Sequence, residues 1–485
     1  MSAGRSRRRS PARDRRRNRL AVAAAGAILL GAVVVALLSG GGSTPAPLPL
    51  PGTGRTARPG DPFAYEASRQ GQFEARASAG SAQVLFTKSP GGAPATAARV
   101  ASYRTAVNAA AGGTGIDPSM LEAIVFLESA GRPDAIAGSD PSAAAGLTQI
   151  LAQTGQALLG MHIDLPASRK LTAAIDRASA AGDGGLVTRL QSRRAKIDDR
   201  FDPAKALAAT VRYLKLARRR FGRADLAIVS YHMGIGNLQQ VLGDYDGGRA
   251  VPYAQLYFDI SPSHNGTAYR LLSGFGDDSS LYYWRVLGAA QIMRLYRSDP
   301  TGLQRLAALQ TADDYGAAVL HPPGAGQSLR DPNALAGAYA SRTILPLPSN
   351  PRRLGLAYDP GMGSLAPRLG AREALYRGLR APALDLLIEL AARGQAVSGV
   401  SAPLIVTSTV TDQRYQGLLG FPDPPATTGF TFQLARRYAS PAQALALQSL
   451  LDRLQALNLI AWLRGPQSIE VTVASDASSV LVHGV

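Results

Sequence analysis

Nineteen consecutive residues, Leu20 to Leu38 (LAVAAAGAILLGAVVVALL), carry no charge. A helix needs about 20 apolar residues to cross the hydrocarbon core of a bilayer, so this run is long enough to span. Nine arginines and one aspartate lie in residues 1–19. A basic flank of that kind stays cytoplasmic, which places everything after Leu38 on the far side of the membrane. A cleaved signal peptide is the alternative, although its apolar core is normally shorter, about 7–15 residues. The expectation is a single-pass anchor in the cell membrane at 20–38, with a cytoplasmic N-terminus and an extracytoplasmic body.

The rest of the 485 residues is long enough for more than one domain. Cysteine is absent, which excludes disulfides and thiolate metal sites. The five histidines (His162, His232, His264, His321 and His483) fall into no metal-ligand spacing, so neither a metal nor another cofactor is expected. The net charge is +18, of which the 1–19 tail supplies +8 and leaves +10 for the remainder. A basic body suits an acidic wall polymer or a lipid surface. No nucleic-acid module or interleaved basic and aromatic run accompanies it, so nucleic acid is not an expected partner.

Residues 39–80 begin as a Pro- and Gly-rich linker, SGGGSTPAPLPLPGTG. The stretch 81–297 reads as mainly helical, and 298–380 as a mixed connecting region with turn signals HPPGAG and DPGMGS. In 381–485, strand-like runs (PLIVTSTV, TGFTFQL, IEVTVAS, SVLVHGV) alternate with helical ones (ALDLLIELAARG, PAQALALQSLLDRLQAL). That alternation predicts a separate, smaller α+β domain. Between 151 and 200, SRKLTAAIDRASAA and GGLVTRLQSRRAKID predict a polar helical hairpin.

Within the helical part, DPSMLEAIVFLESAGRPDA opens on Asp117 and Pro118, a helix-start pair, and closes at Gly131 and Pro133. Leu121, Ile124 and Val125 recur at helical spacing, and Glu128 continues their stripe. On pattern alone Glu128 fits a boundary residue that reaches water. It equally fits a carboxyl whose pKa is raised by desolvation and by the negative end of the helix, as a general acid requires. A second helix, DPAKALAATVRYL, starts on Asp202 and Pro203 and aligns Leu207, Val211 and Leu214. A third, RADLAIVSYHM, runs into the glycines Gly234 and Gly236.

Three segments taken in order resemble the catalytic domain of soluble lytic transglycosylases. Glu128-Ser129 matches that family's Glu-Ser at a helix end. Gly146, Leu147 and Gln149 match its Gly-Leu-Met-Gln, with Thr148 in place of Met. Tyr231 and Gly234 match its Ala-Tyr-Asn before a glycine turn, with His232 in place of Asn and Ser230 in place of Ala. Asp202, Pro203, Tyr213 and Leu214 match the helix between them, and the likeness covers roughly residues 95 to 297. It implies a mainly α, lysozyme-like catalytic domain, preceded by one transmembrane helix and followed by the smaller α+β domain. The implied activity is non-hydrolytic cleavage of the MurNAc-β-1,4-GlcNAc bond of peptidoglycan glycan strands to 1,6-anhydroMurNAc ends, in cell-wall remodelling. Glu128 would serve as acid and then base, and Ser129, Gln149, Tyr231 and His232 would contact substrate. A hydrolysing muramidase and a catalytically idle wall-binding scaffold are the alternatives.

The C-terminal part is faintly similar to zinc D-Ala-D-Ala carboxypeptidases, with Ala426 and Gln433 standing at two ligand positions. With neither an imidazole nor a carboxylate there, the resemblance implies a metal-free relic. The oligomeric state is not legible in the sequence.

Overall fold

The computed structural model describes residues 62–276, 278–322, 324–420 and 423–482. The basic tail, the 20–38 run and the linker as far as residue 61 lie outside the described residues, so the expected membrane anchor falls there. Among the described residues no helix is long and apolar enough to cross a membrane. The chain is mainly helical, with a smaller sheet-containing region towards its C-terminus.

The described residues divide into two compact units, and the division does not follow chain order. One comprises residues 103–121 and 131–213, the other residues 62–102, 122–130 and 214–482. Of the four points where the chain passes between them, two fall inside helices, one in Pro118–Ser129 and one in Pro203–Phe221. A backbone already satisfied by helical hydrogen bonds can pass from one core to another without exposing polar groups.

In the first unit, the expected hairpin is formed by the helices Leu165–Ala180 and Gly184–Ile197. Each starts on an aspartate that accepts from a free helical amide: Asp164 from Ala167 N at 3.0 Å and Asp183 from Leu186 N at 2.8 Å. Ile175, Ala178 and Leu190 form the apolar seam between them. Below the hairpin sits a buried ion pair. Arg200 and Asp198 are both fully buried and bidentate, Nε to Oδ1 at 2.9 Å and Nη2 to Oδ2 at 2.7 Å. Arg200 Nη1 also donates to the carbonyls of Ala143 (3.0 Å) and Ile150 (3.3 Å), and Ser168 Oγ donates to Asp198 at 2.8 Å. The pair thereby ties the hairpin to the loop that carries Gly146 and Gln149. Gly146 is needed on steric grounds: its φ is +81°, and a Cβ there would lie 1.8 Å from the carbonyl oxygen of Arg200.

The second unit is built around an aromatic cluster. Trp284 is fully buried, with ring centroids of Tyr253, Tyr257, Phe258 and Tyr283 between 5.0 and 5.9 Å away. Trp284 belongs to the helix Tyr282–Ser298, which packs against Gln70–Gly80, Ala93–Ala101 and Ala224–Met233. The C-terminal strands are β1 (Leu345–Pro346), β2 (Leu356–Tyr358), β3 (Gly378–Leu379), β4 (Leu404–Ser408), β5 (Thr431–Ala435), β6 (Ile460–Arg464) and β7 (Ser468–Val473). Five form one sheet in the order β2-β4-β5-β7-β6, with β2 parallel to β4 and the other pairs antiparallel. The apolar side chains Phe432, Leu434, Val471 and Val473 are buried, as are Leu386, Leu387 and Leu390 of the packed helix Ala381–Ser398 and Leu447, Leu450, Leu451 and Leu454 of Pro441–Ala456.

Two local readings of the sequence are corrected. The described part of SVLVHGV, residues 479–482, does not make a strand; Ala477–Val482 is a helix. A short apolar run has no period that distinguishes strand from helix, and packing on Ala381–Ser398 decides it. Ile460–Arg464 is an additional strand, paired in register with β7. The C-terminal region also shares its compact unit with the aromatic cluster. Arg453 on Pro441–Ala456 donates to the Tyr257 carbonyl at 3.3 Å, and Arg76 pairs with Asp476 at 2.7 Å.

Replacing Asp198 leaves the buried Arg200 guanidinium without its counter-charge, which costs about 3–5 kcal/mol. Asp198→Ala is expected to lower the midpoint of urea unfolding accordingly. An unchanged midpoint would refute the role given to the pair.

Candidate active site

The Pro118–Ser129 helix begins as the sequence predicts, with Asp117 Oδ1 accepting from Ser119 N at 2.7 Å. It ends abruptly because Ala130 (φ +54°) and Gly131 (φ +74°) both turn left-handed. Arg99 Nε donates to the Ala130 carbonyl at 3.1 Å, which fixes the end against Ala93–Ala101. The last turn is therefore rigidly placed, and it carries Glu128 and Ser129.

The two glutamates of this helix meet opposite environments. Glu122 is fully buried and accepts from Arg297 Nη1 at 2.8 Å, so its charge is matched. Glu128 is half-buried and accepts from the Tyr282 hydroxyl at 2.7 Å on Oε1. Burial raises the Glu128 pKa above the usual carboxylate range; the nearby His232 and the Tyr282 hydroxyl act in the opposite direction. With Tyr282 donating to one oxygen, the proton of the neutral acid sits on the other, Oε2, where a ligand could receive it.

Tyr282 is itself held from two sides. The His232 ring stacks on it at 5.0 Å and 26°, and His232 Nδ1 is 2.9 Å from Ser279 Oγ. Ser279 is in the short turn Ser279–Leu281, which leads directly into the Tyr282 helix. The neighbouring Ser280 carbonyl accepts from Tyr253 Oη at 2.7 Å. The backbone amide of Tyr253 in turn donates to the buried Asp225 at 2.9 Å, which is paired with Arg223 at 3.0 Å. Aromatic packing and a chain of buried hydrogen bonds thus fix the phenol beside Glu128.

The structure brings Glu128 and His232 together through Tyr282. Ser129 is buried and its hydroxyl donates to the Val125 carbonyl at 3.3 Å, a helix-end contact. Tyr231 is half-buried on the helix Ala224–Met233, one residue before His232. That helix ends where Gly234 adopts a φ of +89°. Gln149 belongs to the first unit. Its φ is +50°, and its amide nitrogen donates to the carbonyls of Ala135 (3.0 Å) and Gly146 (2.9 Å). Both amide hydrogens are thereby used, so Gln149 can meet a ligand as an acceptor through Oε1. Thr148 beside it is fully buried.

Tyr282 and Ser279 were not singled out from the sequence. The only signal was the aromatic run LYYW at residues 281–284, which reads equally as core. Asp134 and Asp140, the other acidic residues near the helix, are engaged in ion pairs with Arg194 (3.1 Å) and Arg169 (3.0 Å). In the C-terminal region, Gln433 donates to Glu470 at 2.9 Å across β5 and β7. Burial, and then the Asp423 carboxylate, push the Glu470 carboxyl up to about 7. Among the described residues no group of three or more His, Asp or Glu side chains is placed to hold a metal ion.

In a comparison with curated proteins, none matched the chain. Against models of protein families, residues 105–249 match the Transglycosylase SLT domain. The matched segment contains Glu128, Ser129, Gln149, Tyr231 and His232, whereas Ser279 and Tyr282 lie beyond it. Residues 105–249 are therefore a lysozyme-like transglycosylase SLT domain, which supports a lytic-transglycosylase-type function on peptidoglycan.

Proposed function

We propose that the protein is a lytic transglycosylase that cleaves the MurNAc-β-1,4-GlcNAc bond without water and leaves 1,6-anhydroMurNAc ends. The observation that carries this reading is one half-buried glutamate, held by a tyrosine hydroxyl at 2.7 Å and with a raised pKa, inside an SLT domain. In this reading Glu128 gives its proton to the bridging oxygen as the glycosidic bond breaks. The acetamido carbonyl of MurNAc stabilises the positive carbon that remains. Glu128, now a carboxylate stabilised by Tyr282, then takes the proton of the MurNAc 6-hydroxyl while that oxygen closes the anhydro ring.

One carboxyl suffices because the substrate brings its own nucleophile, whereas hydrolysis by two protein carboxylates needs a partner for Glu128. Glu122 on the same helix is neutralised by Arg297 and does not offer that partner. Ser129, Gln149, Tyr231 and His232 are the proposed substrate contacts, with His232 also setting the position of Tyr282. Residues 20–38 would anchor the enzyme in the cytoplasmic membrane with the SLT domain outside, in reach of the wall.

Three outcomes check this reading. Digestion of purified peptidoglycan, followed by mass spectrometry, is expected to give anhydro ends, and Glu128→Gln to lower their yield roughly 10³-fold. Reducing ends would instead make the enzyme a hydrolase. Tyr282→Phe removes a group that favours the carboxylate, so the Glu128 pKa rises further. The acid form then persists to higher pH, and the basic limb of the kcat/KM profile moves upward; an unmoved limb would detach Tyr282 from the chemistry. Finally, the full-length protein is expected to sediment with membranes after carbonate washing, and a form lacking residues 1–38 to remain in the supernatant.

A further inference from the structure

The second unit contains a cavity of about 120 Å³ that the site around Glu128 does not use. A single water needs roughly 10–15 Å³, so the space takes a ring-sized ligand. Its polar lining comprises Ser81, Gln83, Gln310, Tyr315, Gln455 and Asn458. Among the described residues none of these six side chains has a hydrogen-bond partner. Gln310 is only 4% exposed and Ser81 8%, yet their polar atoms stay accessible to whatever enters the space, and Arg285 Nε on the same lining is buried without a partner.

Three properties of the lining define the occupant. All six polar side chains, four amides and two hydroxyls, both donate and accept at short range, which suits a neutral ligand rich in hydroxyl and amide groups. The charges are balanced, one guanidinium (Arg285) against one carboxylate (Asp452), which disfavours a phosphate or a strong cation. Val84, Leu281, Ile460 and the ring of Tyr315 add apolar surface, as the carbon face of a sugar or an acetyl methyl requires.

The geometry points to a second saccharide-binding site here, for a neutral N-acetylated hexosamine. Its wall is formed partly by Leu281 and Arg285, on the same segment that carries Ser279 and Tyr282, and Arg285 Nη2 donates to Asp278 at 2.9 Å. The site stands independently of the chemistry assigned to Glu128.

Saturation-transfer NMR of the full-length protein with N-acetylglucosamine tests it. The Glu128→Gln form is expected to bind the sugar as the parent does. Gln310→Leu is expected to weaken binding about tenfold, the effect of leaving one ligand group unpaired. Gln83→Ala, on a partly exposed side chain that leaves the core intact, should weaken it in the same direction. Equal binding by parent, Gln310→Leu and Gln83→Ala would put the sugar elsewhere and overturn the inference. No binding by the parent, or binding of a neutral acetylated tripeptide in its place, would overturn it as well. Loss of binding in Glu128→Gln alone would assign the signal to the site at Glu128 and overturn it too.

Discussion

A carboxyl group taken out of water must be either paired or neutral, and the Pro118–Ser129 helix shows both solutions within two turns. Glu122 keeps its charge because Arg297 reaches it from the Tyr282–Ser298 helix. Glu128 accepts from a phenol rather than forming an ion pair with an arginine, and burial outweighs both the nearby His232 and that hydroxyl, so its pKa rises. Both partners come from one helix, and the register of Tyr282–Ser298 against Pro118–Ser129 decides which glutamate is neutralised and which is held as an acid. The placement of that helix is therefore the constraint on which the site depends.

Much of the second unit serves that placement. Trp284 and its ring of aromatics fix the helix axially, while Tyr253 and Asp225 fix the turn before it through Ser280. His232 stacks on Tyr282 and is aligned by Ser279. A lone donor to a buried carboxyl is effective only if it cannot rotate away, and four contacts from different parts of the chain prevent this here. The same segment turns its other side, Leu281 and Arg285, to the amide-lined cavity. In the first unit the buried Arg200–Asp198 pair has the comparable task. It fixes the loop on which Gly146 must be glycine and on which Gln149 commits its amide nitrogen to the backbone.

The helix starts at Asp117 with Pro118 and at Asp202 with Pro203 were legible in the sequence because they depend on neighbours: each aspartate acts within three residues of itself. Strands β4, β5 and β7 were legible for the same local reason. The strand at Ile460–Arg464 and the helix at Ala477–Val482 were not, since both are short apolar runs whose conformation is set by the surface they cover. The likeness of Glu128, Gln149 and Tyr231 to a family motif pointed to the candidate acid. It could not reach Tyr282, which meets Glu128 across 154 positions of chain.

By itself, then, the sequence determined the caps, the helical periods, the apolar run at 20–38, the absence of cysteine and the identity of one candidate carboxyl. Only the tertiary structure decided the protonation bias of that carboxyl, the arginine that removes Glu122 from competition, and the gathering of amides and hydroxyls around a cavity. Capping and periodicity are properties of adjacent residues, fixed wherever the segment goes. Desolvation and charge pairing are properties of whatever else is packed within a few ångströms, and that is specified only when distant parts of the chain meet.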